Sequence, residues 1–265
     1  MAPESIDRRY LQTPFGNVHY WVTGNGPFLT LIHQSAQSSE EYVMLAAQLA
    51  DSFRVVGIDL PGHGKSSDPD HELKLEELTD VALAVLDELG AQRTYILGHH
   101  GGVSVSIDLS NRYSDRVDKV VMSGGGTRSS EQLEALKNTP MTRDLPLDSD
   151  GDFLSQTWAV YRKMSASKTP PDVTVRPFAV GLQARLRPFD MHHALYRWDG
   201  EKAREVFDKE TLLIRGKEDL YSGDVAARHK QMANSAYVEI ADGGAWLFYE
   251  QPEACAKVVR DFLAA

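Results

Sequence analysis

The sequence predicts an α/β protein: a mostly parallel, twisted sheet with helices on both faces and a helical cap insertion late in the chain. Three observations carry this expectation. Short apolar runs bounded by turn residues alternate with amphipathic stretches of helical period. The runs are apolar on nearly every residue, as strands covered on both faces must be. Between residues 127 and 204 the alternation stops, and prolines, charges and aromatics take its place.

Residues 8–23 alternate apolar and polar about Pro14-Phe15-Gly16-Asn17, the pattern of an antiparallel hairpin at a sheet edge. Phe28 to His33 follows as a buried strand. Glu40 to Ala50 has helical spacing, with Tyr42, Leu45, Ala46 and Leu49 on one side and Ser39 as the N-cap. Arg54 to Leu60 is a strand stopped by Pro61-Gly62, and Leu75 to Leu89 is a helix ended by Gly90. A strand over Thr94 to Leu97, a helix over Val103 to Arg112 and a strand over Val117 to Ser123 come next, closed by three glycines. After the insertion the pattern resumes with Thr211 to Arg215, a helix near Asp224 to Ala233, the strand Ala236 to Ile240 and a final helix. The expected organisation is therefore a core of residues 1–126 and 205–265 interrupted by a helical cap over 127–204. Sheets of this kind place their chemistry at the carboxyl ends of the strands.

A chain of 265 residues can bury one sizeable core. Its 28 basic and 38 acidic side chains give a net charge of -10, which disfavours nucleic acid or an anionic membrane as partner. No apolar run approaches the ~20 residues of a membrane span, and the N-terminus lacks the apolar core of a signal peptide. The one cysteine, Cys255, permits no internal disulfide and sits in the amphipathic stretch Pro252 to Leu263, where a buried thiol is expected. A cytoplasmic protein acting on a small-molecule substrate is the expectation, with a homodimer left open. No metal is expected, because the histidines lack ligand spacing and no acidic cluster joins them. No cofactor is expected either: Gly98 to Gly102 lacks dinucleotide-loop spacing, and Gly24-Asn25-Gly26 opens no helix.

Three segments carry more specific information. They are Asp59-Leu60-Pro61-Gly62-His63-Gly64-Lys65-Ser66-Ser67, Gly98-His99-His100-Gly101-Gly102, and Ile240 to Pro252 ending Tyr249-Glu250-Gln251-Pro252. In this order and spacing the chain resembles the α/β-hydrolase superfamily over nearly its whole length. The resemblance makes Gly98 to Gly102 the nucleophile elbow, a tight strand-to-helix turn that holds one side chain above the sheet beside the helix N-terminus. It places His100 where the family carries Ser, Cys or Asp, and matches Asp219 to the catalytic acid. At the position of the catalytic histidine, after Gly243-Gly244, stands Ala245. The backbone amides of Ser35 and Gly101 correspond to the oxyanion hole. Gln34 replaces a family glycine and is expected to send its amide into the site, while His33 braces its loop.

An imidazole, with a free pKa near ~6.5, suits proton transfer at neutral pH, and an acyl-imidazole hydrolyses readily. His100 is therefore expected as a base or nucleophile without a durable acyl intermediate. Ala245 has two readings. Either the natural protein works without that histidine, or alanine has been put in its place; the intact flanking pattern favours the replacement. His100 would then work with a second imidazole at 245, oriented by Asp219. Trp158, Tyr161 and Trp246 are expected to wall the pocket, His99 to pack under the elbow or touch the insertion and substrate. One of His192 and His193 is expected to contact substrate, since adjacent helical residues cannot both face inward. The implied function is a cofactor-free hydrolase for an ester, lactone or C–C bond of a small, largely apolar molecule. A lyase, isomerase or cyclase on the same fold and a non-catalytic ligand binder are the alternatives.

Overall fold

The computed structural model describes residues 6–126, 128–139, 141–189 and 191–265. Thr127, where the insertion was expected to begin, lies outside them. The edge hairpin forms as β1 (Asp7–Thr13) and β2 (Gly16–Thr23), followed by β3 (Phe28–Ile32). A 3-10 turn over Ser39–Tyr42 leads into α1 (Val43–Leu49), then β4 (Arg54–Ile58) and α2 (Leu75–Glu88). The centre of the chain supplies β5 (Thr94–His99), α3 (Gly101–Arg112) and β6 (Val117–Ser123). Five helices come next: α4 (Ser130–Asn138), α5 (Asp152–Met164), α6 (Pro171–Ala184), α7 (Met191–Arg197) and α8 (Gly200–Glu205). The chain ends with β7 (Thr211–Gly216), α9 (Val225–Gln231), β8 (Ser235–Ile240), α10 (Leu247–Glu250) and α11 (Pro252–Ala264).

The eight strands make one sheet in the order β1-β2-β4-β3-β5-β6-β7-β8. The pairs β1/β2 and β2/β4 are antiparallel, and every later pair is parallel. Successive side chains of a strand point to opposite faces, which explains why the central strands had to be apolar throughout. Val56, Ile96 and Val120 meet α2 and α3 through Leu78, Val85, Val103 and Ile107. Their neighbours Val55, Leu97 and Val121 meet α1 and α11 through Leu45, Leu49, Val259 and Leu263. Cys255 is buried in this second layer, and burial pushes its thiol well up. The sheet grows outward from β3 to β4 and then back to β5, so the strand order reverses between β3 and β5. Clefts form at such switch points, beyond the carboxyl ends of the two strands.

Two local expectations change. Ser38, not Ser39, caps the 3-10 turn. Ser39 is drawn inward instead: its hydroxyl donates to Asp59 Oδ1 (2.6 Å) and accepts from Trp21 Nε1 (2.8 Å). Asp59 also accepts from Lys65 N (2.9 Å) and pairs with His19 Nδ1 at 2.8 Å. Burial acts to raise its pKa, but these partners and nearby His33 outweigh it and hold the carboxyl at about 2. This network pins the Asp59–Ser67 loop, and Arg187 of the insertion donates to the same loop at Ser66 O (3.1 Å) and to Asp68 Oδ1 just beyond it (2.8 Å). At the other end Glu250 accepts from Ala166 N (2.9 Å) and Thr169 Oγ1 (2.8 Å), so the insertion is tied to the core on two sides.

Candidate active site

The turn between β5 and α3 contracts to one residue, His100, with φ 44° and ψ -105°. A non-glycine residue at such angles costs on the order of 1–3 kcal/mol and is held there by its surroundings. The surroundings here are two bare backbones. A Cβ at Gly102 would collide with the carbonyl oxygens of Ile32 and His33, and one at Gly98 with Gly102 O and Ser106 Oγ. Glycine at both ends thus lets β3 and α3 close on the turn, and the imidazole is left on the cavity side.

His100 is 15% exposed, and its Nε2 lies 3.0 Å from Asp219 Oδ2. The contact is an ion-pair approach: the ring N–H is not aligned for a straight hydrogen bond at this distance. Asp219 follows β7 in a turn closed by its own N–H on Gly216 O (3.0 Å), and its Oδ1 accepts from Tyr221 N (2.8 Å). Burial acts to raise the pKa of this carboxyl. The imidazole of His100 and the Tyr221 amide prevail, and it stays below the ordinary value.

A second imidazole–carboxylate pair stands directly behind. His99 packs its ring on His100 with centroids 4.6 Å apart and edge-on to Phe248. Its Nδ1 lies 3.2 Å from Glu41 Oε2. Glu41 also accepts from Gln34 N and from Gln34 Nε2, each at 3.0 Å. Burial is the largest influence on both groups. It depresses the pKa of His99, while in Glu41 it is outweighed by His99 and Gln34, so that pKa is lowered too. The stable state is a neutral imidazole donating to a carboxylate.

Ser35 and Gly101 adjoin: a Cβ on Gly101 would lie 2.5 Å from Ser35 Oγ. Neither backbone amide donates a hydrogen bond among the described residues, and Gly101 opens α3, where helix geometry leaves its N–H free. These donors and His100 face a cavity of about 800 Å³, whose wall also includes Gln34, Tyr161, His192, Trp198 and Trp246. Tyr161 and Trp246 stack at 4.7 Å, and Trp246 Nε1 donates to Tyr161 O (3.0 Å). Among the described residues no three His, Cys, Asp or Glu side chains are grouped to hold a metal ion, and no helix is long and apolar enough to cross a membrane.

Several expected substrate contacts change. His99 is buried by its pairing with Glu41 and is absent from the cavity wall. Gln34 reaches the wall, but both hydrogens of its amide nitrogen are taken by Glu41 and by Ala245 O (3.2 Å), so it has none for a substrate. Trp158 packs edge-on against Phe178 of α6 (5.2 Å) and leaves the wall to Val160, Tyr161 and Met164. Of the histidine pair on α7, His192 lines the cavity and His193 turns away with its Nδ1 buried. Ala245 is fully buried, its N–H on Met164 O (2.9 Å). The carboxylate expected to orient an imidazole at 245 is engaged by His100 instead. His33 braces its loop: Nε2 accepts from Leu60 N (3.1 Å), and Nδ1 meets Gln34 O at 2.8 Å.

The sequence profile of the alpha/beta hydrolase family matches residues 26–258. The chain belongs to this family. As a member of the alpha/beta hydrolase superfamily it is similar to the uncharacterized hydrolase YraK of Bacillus subtilis, 26% identical over 60% of this chain and 63% of the relative. It is also similar to epoxide hydrolase 1 of Caenorhabditis elegans, 28% identical over 44% of this chain and 30% of the relative. The matched region thus spans less than two thirds of these relatives. Among solved structures, a thermophilic esterase from Thermogutta terrifontis superimposes with a TM-score of 0.80 at 20% identity, over 97% of this chain and 98% of the esterase. The enol-lactonase from Burkholderia xenovorans gives 0.75 at 22% identity, over 97% and 100%. At these identities the likeness establishes the fold.

Within this hydrolase-family frame, sequence reasoning missed Glu41 and the arginines of the cavity, Arg128 and Arg204. Glu41 left one usable trace, an acid directly beside the apolar face of Tyr42. The arginines left none.

Proposed function

We propose that this protein hydrolyses an ester or lactone without an acyl-enzyme, His100 acting as general base and Asp219 as the residue that holds it. The observation that carries this reading is the 3.0 Å approach of His100 Nε2 to Asp219 Oδ2 at the elbow. A carboxylate on Nε2 favours the tautomer protonated there and leaves Nδ1 as the proton acceptor. Gly124 lies beside that edge of the ring, where a Cβ would crowd Nδ1 at 3.2 Å.

The water oxygen attacks the carbonyl carbon as its proton passes to Nδ1. The carbonyl oxygen takes the negative charge toward the amides of Ser35 and Gly101. Collapse of the tetrahedral species breaks the bond to the leaving oxygen, which recovers the proton from His100. A positioned base contributes about 10²–10⁴-fold and each oxyanion donor about 10²–10³-fold. No imidazole at 245 is required. A His100-catalysed proton abstraction beside a carbonyl uses the same base and donors, and the absence of Ser, Cys or Asp at position 100 favours keeping it as a second reading.

Isotope labelling separates the two. In ¹⁸O-water the hydrolytic reading requires one labelled oxygen in the acid product of each turnover, read by mass spectrometry. Product free of label would sink hydrolysis and leave proton abstraction. Position 245 gives an independent check. Ala245→His would set two imidazoles to compete for one carboxylate, so kcat is expected to stay within about twofold or fall. A rise of about tenfold or more would show that the base belongs at 245.

A further inference from the structure

The cavity is cationic at one end. Arg128 and Arg204 lie in its wall, and Arg204 also borders a small recess shared with Arg228. Among the described residues none of the three makes an ion pair. The guanidinium of Arg128 donates to the carbonyl of Tyr221. Arg204 and Arg228 donate no side-chain hydrogen bond, and the Nε of each is buried without a partner. Several arginines elsewhere, Arg112, Arg116, Arg187 and Arg197 among them, each hold a carboxylate.

All three are partly buried, which is costly for a charge that no carboxylate meets, and Arg204 is close enough to be repelled by both Arg128 and Arg228. Burial comes first, then Arg228 and Arg128, in drawing Arg204 down to about 10, against the pull of Glu201. Arg128 feels the charge of Asp219, which puts the cationic end within electrostatic reach of the base. Among the described residues no carboxylate lies at ion-pair distance from the three, and Glu201 in the same cavity wall acts on Arg204 and Arg228 only from further off. The missing anion is one that arrives with the ligand, and a planar carboxylate matches the fork of a guanidinium.

We propose that Arg128, Arg204 and Arg228 form a binding site for a carboxylate on the substrate, beyond the bond that is cleaved. This rests on the hydrolytic reading and narrows it. The substrate is an ester or lactone that also carries a free, ionised carboxyl group, with its apolar part against Tyr161 and Trp246. The expected substrate changes accordingly from a largely apolar molecule to an amphiphilic anion.

Binding tests this without turnover. Isothermal titration of the intact protein with 4-phenylbutyrate and with its uncharged amide compares two ligands of the same shape. The acid is expected to bind about tenfold tighter or more near neutral pH, with the preference shrinking as salt is raised. The double variant Arg204→Gln, Arg228→Gln should bring the two ligands within about twofold, and Arg204→Lys should keep part of the preference. Circular dichroism shows whether each variant is folded, and wild-type protein gives the primary comparison on its own. Equal binding of acid and amide by the wild type, binding of neither, or a preference unchanged in the folded double variant overturns the proposal. A clear preference with no turnover of any ester would leave the anion site standing and remove the hydrolytic reading. Turnover of neutral esters with no preference would do the reverse.

Discussion

Replacing His100 with alanine is expected to lower kcat by about 10²–10⁴-fold while KM stays within about twofold. The imidazole is the elbow group in the cavity wall with a nitrogen able to take a proton, whereas the amides of Ser35 and Gly101 survive the change. Ground-state binding should therefore persist and the loss should fall on the chemical step. The fold has no reason to collapse, because the side chain faces the cavity and alanine, which also carries a Cβ, leaves the strain at φ 44° as it was. Steady-state kinetics on an ester substrate, with circular dichroism to show the fold, make the measurement. Added imidazole supplies a second readout, since a cavity of about 800 Å³ admits it next to Asp219. Partial rescue, growing with the fraction of neutral imidazole, is expected of a missing base. An unchanged kcat would make His100 a placeholder at a silent elbow.

The sheet was legible in the sequence because burial on both faces leaves little choice of residue. Val55-Val56, Ile96-Leu97 and Val120-Val121 must satisfy two helical layers at once, and only apolar pairs do so. The elbow was legible for a similar reason, since the approach of β3 and α3 excludes any Cβ at Gly98 and Gly102. What failed is what depends on rotation about an axis. Residues 39–42 turn with the 3.0-residue period of a 3-10 helix, so a face reckoned at 3.6 from Tyr42 and Leu45 does not reveal that Ser39 and Glu41 turn inward. Glu41 is buried against His99. The same uncertainty separated Trp158 from the wall that Tyr161 joins. Polar side chains such as Gln34 were legible as unusual, but their partners come from distant segments, Glu41 on one side and Ala245 on the other. Arg128, Arg204 and Arg228 come from three separate stretches of chain, and nothing in their local sequence announces that they converge.

Glu41→Ala is expected to destabilise the protein by about 3–5 kcal/mol, because several buried donors lose their one acceptor together. The carboxylate satisfies Gln34 N, one hydrogen of Gln34 Nε2 and the ring N–H of His99. Deleting it strands these donors away from water, at about 1–3 kcal/mol for each one left unmade. In a domain of this size the midpoint of thermal unfolding should fall by roughly 10 °C. The acid side of the stability curve should change as well. The folded protein depresses the pKa of both His99 and Glu41, so the unfolded chain binds more protons and wild-type stability must fall as pH falls. For His99 the loss starts near its unperturbed 6.5 and continues to its lower folded value; for Glu41 it starts near 4.5. Removing Glu41 takes away the charge that holds the imidazole pKa up against burial, so the folded value drops further. The His99 contribution to the acid loss then extends to lower pH in the variant. Urea unfolding at several pH values between about 5 and 8 reads both effects. Because the His99 ring packs at a tilt against the His100 ring, centroids 4.6 Å apart, kcat measured well below the melting temperature should also fall, by about tenfold for a base displaced by a fraction of an ångström. A variant that melts within about 2 °C of the wild type would mean that the buried carboxylate holds nothing in place.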